Sequence, residues 1–257
     1  MGLKKGFDKF KEVFRLSFQL AKINFKLRNE GSYLGILWYL LNPLLMFLIL
    51  IFLRGVIIGG ENINYPIYLI IGLVIFNFFS QSTIFSVNSI TNNGNLIKSM
   101  EIDKEIFVIS KVFESVFSHI FEIILLIVFL VFYKTSLIGL FFYPFIFVFL
   151  MIFIFGLSFI LATLGVFVSD LNNVWSILTR LLWFATPIFY TIKKGSGVYI
   201  FNLFNPFFYF ISITRDIIIY QRIELWMVNM AVFFSLFTFL FGILIFERNK
   251  NKFAELL

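Results

Sequence analysis

Apolar residues gather into six long, nearly charge-free runs, at residues 34–53, 67–85, 113–132, 142–168, 174–192 and 226–246. A hydrocarbon layer about 30 Å thick takes roughly 20 residues of helix, so each run predicts a membrane-crossing helix. A different pattern precedes them. Over residues 4–28, Phe7, Phe10, Phe14, Phe18, Ala21 and Phe25 share one helical face, which Val13, Leu16, Leu20, Ile23 and Leu27 widen. Lys4, Lys11, Arg15, Lys22 and Lys26 fill the remaining arc. A broad apolar face beside a basic strip predicts an amphipathic helix lying in the headgroup layer; packing on a partner subunit is the alternative. Residues 198–213 are apolar too, but Asn205-Pro206 interrupts them and they are short for a crossing. They predict a re-entrant helical pair within the last outer loop, residues 193–225.

Composition supports an all-α integral membrane protein, one domain over residues 1–257. Hydrophobic residues make up 60% and charged residues 14% of the chain, with a mean hydropathy of +0.97, too little charge to coat a water-soluble surface. Cationic residues are unevenly placed. Lys4, Lys5, Lys9, Lys11, Arg15, Lys22, Lys26 and Arg28 precede the first span, Lys98, Lys104 and Lys111 follow the second, and Arg248, Lys250 and Lys252 follow the last. The other loops hold only Arg54, Lys134, Lys193, Lys194, Arg215 and Arg222. The positive-inside rule then predicts both termini on the cytoplasmic side. The first run starts too late, and is too long, for a cleaved signal peptide. With no cysteine, disulfides, thiolate catalysis and Cys-based metal sites are excluded. The 40 Phe residues reflect a general bias, which weakens the meaning of any single aromatic position.

Ionisable groups inside apolar spans demand partners or water, because they cost about 2.5 to 3.5 kcal/mol on insertion scales. Glu114, Ser118 and Glu122 repeat every fourth residue and line one face of the third span. Glu122 and Arg180 both fall in the inner half of the membrane, which makes them candidates for an ion pair; alternatively each meets water or a backbone carbonyl. His119 with Glu122 suggests a proton relay or, more simply, a bond to a neighbouring helix. Asn77, Gln81 and Asn88 share a face of the second span, either for interhelical hydrogen bonds or as a pore wall. Pro43 and Pro187 remove the donors that would serve the carbonyls of Tyr39 and Trp183, allowing bends.

Several local motifs occur in a telling order. Tyr33-Leu34-Gly35-Ile36-Leu37-Trp38 leads into Asn42-Pro43-Leu44; Asn93-Gly94-Asn95-Leu96-Ile97-Lys98, Thr186-Pro187-Ile188-Phe189-Tyr190, Asn205-Pro206-Phe207-Phe208-Tyr209 and Arg215-Asp216 follow. In order and spacing the chain resembles the ABC-2 type permeases that export polysaccharides. One departure is Ser169-Asp170, where members of that family often carry a basic residue before the Asp.

The resemblance implies a permease that pairs with a second copy and two separate nucleotide-binding ATPase subunits, moving a lipid-linked glycan across the inner membrane. No segment fits G-x-x-x-x-G-K-[ST], so the chain itself is expected to bind no cofactor, with ATP and Mg on the partner. Residues 86–109 form the one substantial inner loop, and 96–105 mix apolar and charged side chains as a short helix seated on a soluble partner would; an ordinary solvated loop is the alternative. The resemblance makes this the coupling helix, with Leu96, Ile97, Lys98, Met100, Glu101 and Lys104 as contact candidates. Trp38, Tyr39, Phe189, Tyr190, Phe207 and Tyr209, with Asn77 and Gln81, are candidates for the translocation path; lipid-facing placement is their alternative. Membrane lipid is an expected partner and nucleic acid is not. Teichoic acid, capsule, drug or small-lipid export stay open, as does, further off, a membrane-embedded transferase or a scaffold. No His/Asp/Glu cluster near a membrane face and no large loop favours the transferase.

Overall fold

The structure, a computed structural model, describes residues 2–57 and 64–257. The side chains of residues 2–7, including Lys4, Lys5 and Phe7 of the predicted faces, lie outside that description. Helices follow in the order α1 (Gly2–Asn29), α2 (Trp38–Ile57), α3 (Tyr65–Val87), α4 (Gly94–Ser99), α5 (Glu105–Phe132), α6 (Tyr143–Phe167), α7 (Leu171–Ala185), α8 (Gly197–Asn202), α9 (Pro206–Tyr220), α10 (Leu225–Asn249) and α11 (Phe253–Leu256). Among the described residues, five helical stretches are long and apolar enough to cross a membrane: Gly35–Gly55, Tyr65–Val87, Glu105–Phe132, Ile138–Phe167 and Leu225–Leu256.

The predicted fifth span behaves differently. Its helix, α7, stops at Ala185 after 15 residues, about 22 Å at 1.5 Å per residue and too short to cross alone. Pro187 is the reason: its ring pushes the preceding residue out of the helical region, and Thr186 is extended, with ψ 140°. The chain then continues as irregular backbone. By contrast, α2 runs on helically through Pro43.

Local sequence explains the other helix starts. Pro66 and Pro144 occupy first-turn positions of α3 and α6, where their missing N–H costs nothing. Asn205 caps α9 by accepting the Phe207 N–H at 3.0 Å, and Ser196 caps α8 by accepting the Tyr199 N–H at 3.2 Å. The buried core centres on α3, which is covered along most of its length, while α2 and α10 keep wide outer faces.

Glycines set the closest approach. Gly156 of α6 lies against the backbone of Thr238 and Phe239 in α10, and Gly242 lies against Gly156, leaving no room for a Cβ at either position. Ser235 adds a bond from its hydroxyl to the Phe149 carbonyl at 2.8 Å. Small residues let helix backbones meet where lipid offers no hydrophobic drive for association. Gly156→Leu is therefore expected to force α6 and α10 apart, at or above the top of the about 1–3 kcal/mol typical of overpacking. Thermal unfolding of the detergent-purified protein checks this: an unchanged midpoint would show that the contact is unimportant.

The amphipathic α1 rests side-on against α5. Ser17 and Ala21 are fully buried, and Phe14, Phe18 and Phe25 set their rings against Phe113, Phe117 and Phe121. Phe10, Phe14 and Phe18 nevertheless stay 67%, 49% and 46% exposed, so one apolar face serves both a protein contact and the surroundings.

Candidate functional site

At the end of the bundle away from α4, α8 and α9 form a hairpin whose tip reaches well down α3. Phe207, at the start of α9, packs its ring 3.8 Å from that of Phe79, about 21 Å along α3 from Tyr65. Arg215, two turns on, has returned to the level of Tyr68. The segment predicted as a re-entrant pair folds as α8 and α9, and α9 is buried along most of its length.

This hairpin braces the irregular backbone after α7. Non-helical chain at membrane depth needs every carbonyl satisfied by protein or water. Arg215 donates from Nη1 to the Pro187 carbonyl at 2.6 Å, from Nη2 to Ile188 at 2.8 Å and from Nε to Tyr68 at 3.0 Å. Its guanidinium carbon lies 3.3 Å from the centroid of the Tyr68 ring. The Tyr65 hydroxyl donates to Phe189 O at 2.7 Å and the Tyr68 hydroxyl to Tyr190 O at 2.9 Å. The Tyr190 hydroxyl turns back to the end of α7, donating to Ala185 O at 2.8 Å and lying 3.2 Å from Phe184 O. Asn205, at the hairpin tip, donates to the Thr186 hydroxyl at 2.8 Å. A charge chain closes the rim: Arg222 pairs with Asp216 at 2.9 Å and Lys194 with Glu224 at 2.8 Å. That Lys194 bond holds the Glu224 carboxyl below its usual range.

The α4 end has two features. First, Glu114, nearly fully buried, accepts from two cations, Arg28 at 3.0 Å and Lys111 at 2.9 Å. Arg28 also donates to Ser118 at 2.7 Å and to the Tyr39 hydroxyl at 2.6 Å, so one guanidinium ties the end of α1 to α5 and the start of α2. Beside it opens a cleft of about 420 Å³, lined by Asn24, Arg28, Asn88, Asn92, Lys111, Glu114 and Asn172 among others. Second, α4 and the residue that follows it present Leu96 and Met100, 44% and 57% exposed, beside exposed Lys98 and Glu101. The predicted helix over 96–105 is in fact α4 followed by an irregular stretch, Met100 being extended with ψ 143°. Ile97 is buried, and Lys104 donates to the Lys250 carbonyl at 2.7 Å. Those two candidates therefore anchor the loop instead of facing outward.

Between the ends, the anticipated Glu122–Arg180 pair is not formed. Glu122 bonds His119 Nδ1 at 2.8 Å, while Arg180 is exposed on α7. His119 Nε2 meets the Tyr143 hydroxyl at 2.7 Å, and its ring stacks on Phe147 at 5.1 Å. A partner inside the same three-helix cluster satisfies Glu122 at far lower cost than a cation across the bundle. Asn77 and Gln81 are both half-buried.

Two path candidates are corrected as well. Phe207 and Tyr209 are 2% and 1% exposed, and the Tyr209 hydroxyl donates to Leu203 O at 2.7 Å inside the hairpin; both belong to the core. Phe189 and Tyr190 are half-buried in the brace, Tyr39 is half-buried against Arg28, and Trp38 is 44% exposed. Sequence reading missed the roles of Arg28, Tyr65, Tyr68 and Arg215. For Arg215 a signal existed, a cation within an apolar run, which needs acceptors wherever the fold supplies them.

Known proteins resemble this chain over nearly its whole length. The O-antigen export system permease protein RfbA of Klebsiella pneumoniae is 28% identical over 248 residues, 95% of this chain and 96% of that protein. The protein of the same name from Myxococcus xanthus is 27% identical over 249 residues, covering 93% and 94%. Residues 15–219 match the family model described as ABC-2 type transporter. With most of its length matched and its helices of membrane length, the chain belongs to the ABC-2 type transporter family.

Proposed function

We propose that this membrane protein is the permease subunit of an ATP-driven exporter of a lipid-linked, O-antigen-like polysaccharide. It works as a homodimer in the inner membrane, with its α4 end and both termini cytoplasmic and two nucleotide-binding subunits seated beneath. The relatives' O-antigen export supports the substrate class. In the same arrangement α1, which runs alongside α5, turns its exposed Phe rings to acyl chains and its basic strip to anionic lipid.

The observation that carries the reading is α4 with the residues just after it, where exposed Leu96 and Met100 sit among Lys98 and Glu101, the mixed surface that a groove on a soluble subunit accepts. The face of α7 supports the dimer. Ile177, Leu181 and Phe184 are 58%, 60% and 58% exposed, and exposed Arg180 sits among them, about 14 Å into the helix. A lone chain would offer that cation to hydrocarbon, whereas a seam between two copies gives it water or substrate. Trp38, Phe189 and Tyr190 are the aromatic candidates for contact with sugar faces along this seam.

Co-purification tests the reading. Leu96→Glu with Met100→Glu places two carboxylates in an apolar contact and is expected to lower recovery of the ATPase subunit at least tenfold, with export lost in parallel. Undiminished recovery of that subunit would move its docking site elsewhere.

A further inference from the structure

The residues after α10 do not trail away; they lie under α4. Phe253 is fully buried, in a cluster with Ile90, Ile97, Phe107, Val108, Phe159, Ala162 and Phe246, its ring 5.4 Å from that of Phe246. A Cβ at Gly94 would sit 3.5 Å from the Cβ of Leu257. Polar bonds flank the contact on its α5 side. Lys104 Nζ donates to Lys250 O at 2.7 Å, and Lys250 Nζ reaches back to Glu105 and Glu247, each at 2.7 Å. The inner face of α4, Ile97, thus rests on the end of α10, and α10 is locked to α6 by backbone contact at Gly156 and Gly242.

We propose that residues 250–257 form the transmission block beneath the coupling helix: α4 and this segment move as one body, and a push on α4 is delivered to the α6–α10 pair. Phe253, Lys104 and Lys250 are positioning residues in it. The idea rests on the proposed role of α4 as the ATPase contact and adds where the force goes. Through an irregular link such as residues 100–104 alone, little force would reach the spans, because such a link bends; the buried Phe253 cluster supplies the stiff connection.

The test uses the full complex with its ATPase subunit. The chain holds no cysteine, and the Cβ separation of 3.5 Å at positions 94 and 257 suits a disulfide. Gly94→Cys with Leu257→Cys, oxidised, is expected to export within twofold of its reduced form, since the joined parts do not separate in the cycle. A tenfold loss that reductant reverses would overturn the proposal. Phe253→Ala is expected to lose export at least tenfold while the ATPase subunit still co-purifies and hydrolyses ATP, raising the ATP spent per glycan; Phe253→Leu should recover most of it. Lys104→Ala, which leaves the apolar cluster whole, should lose at least threefold with the same uncoupling and decides the matter if Phe253→Ala does not accumulate. Export within twofold of the unsubstituted chain in Lys104→Ala, or in an accumulating Phe253→Ala, would also overturn it. Failure of the α4 reading shows separately, as retained ATPase binding in the Leu96→Glu, Met100→Glu chain.

Discussion

Arg215→Lys is expected to cripple the protein although it keeps the charge. The guanidinium serves three carbonyls, those of Tyr68, Pro187 and Ile188, from three different nitrogens, at 3.0, 2.6 and 2.8 Å. An ammonium is a compact point donor and cannot span that fork. Two carbonyls buried in the protein would lose their partner, each at about 1–3 kcal/mol, so about 2–6 kcal/mol is at stake in a fold whose total stability is of order 5–15 kcal/mol. Gly72→Ala probes the same contact from the other side, because its Cβ would lie 2.6 Å from Arg215 Nη2. Each variant should lower the thermal midpoint of the purified protein and abolish export. The double variant should be little worse than Arg215→Lys, since both damage one interaction. A midpoint for Arg215→Lys equal to that of the unsubstituted chain would mean that water, not Arg215, satisfies the broken strand.

Glu114→Ala is the second large effect. One buried carboxylate holds Arg28 at 3.0 Å and Lys111 at 2.9 Å, and its loss leaves two cations facing each other. Breaking a buried pair costs about 3–5 kcal/mol; because Arg28 and Lys111 remain about a quarter and a fifth exposed, water softens this to about 2–4 kcal/mol. The loss falls on the attachment of α1, so chymotrypsin should cut between α1 and α2, at exposed Tyr33, many times faster than in the unsubstituted chain. Replacing the pair with apolar groups, Arg28→Met with Glu114→Leu, should restore resistance, since a buried ion pair is often no more stabilising than a hydrophobic contact. Equal cutting rates in Glu114→Ala and the unsubstituted chain would show that the rings of α1 against α5 suffice alone.

Some of the working parts were plain in the residue pattern. Exposed Leu96 and Met100 beside Lys98 and Glu101 keep the amphiphilic surface that the chain order of residues 96–105 suggests. Asn205-Pro206 announces the hairpin tip because an Asn cap followed by Pro starts a helix wherever it lies. The parts that were not plain are those built by long-range pairing. Glu122 chose His119 over Arg180, Phe207 and Tyr209 went to the core, and Ile97 and Lys104 turned toward the tail.

Helix positions, the amphipathic leading helix, the hairpin in the last loop and the membrane as solvent follow from the order of residues alone, because an apolar run in lipid must close its hydrogen bonds locally. Tertiary structure decided where that rule fails. Residues 186–190 leave the helix at Pro187, and only side chains distant in sequence, Tyr65, Tyr68 and Arg215, close the carbonyls they expose. Which cation meets which carboxylate was likewise decided by the packing of helices, since several partners lie within chain-order reach and geometry admits one.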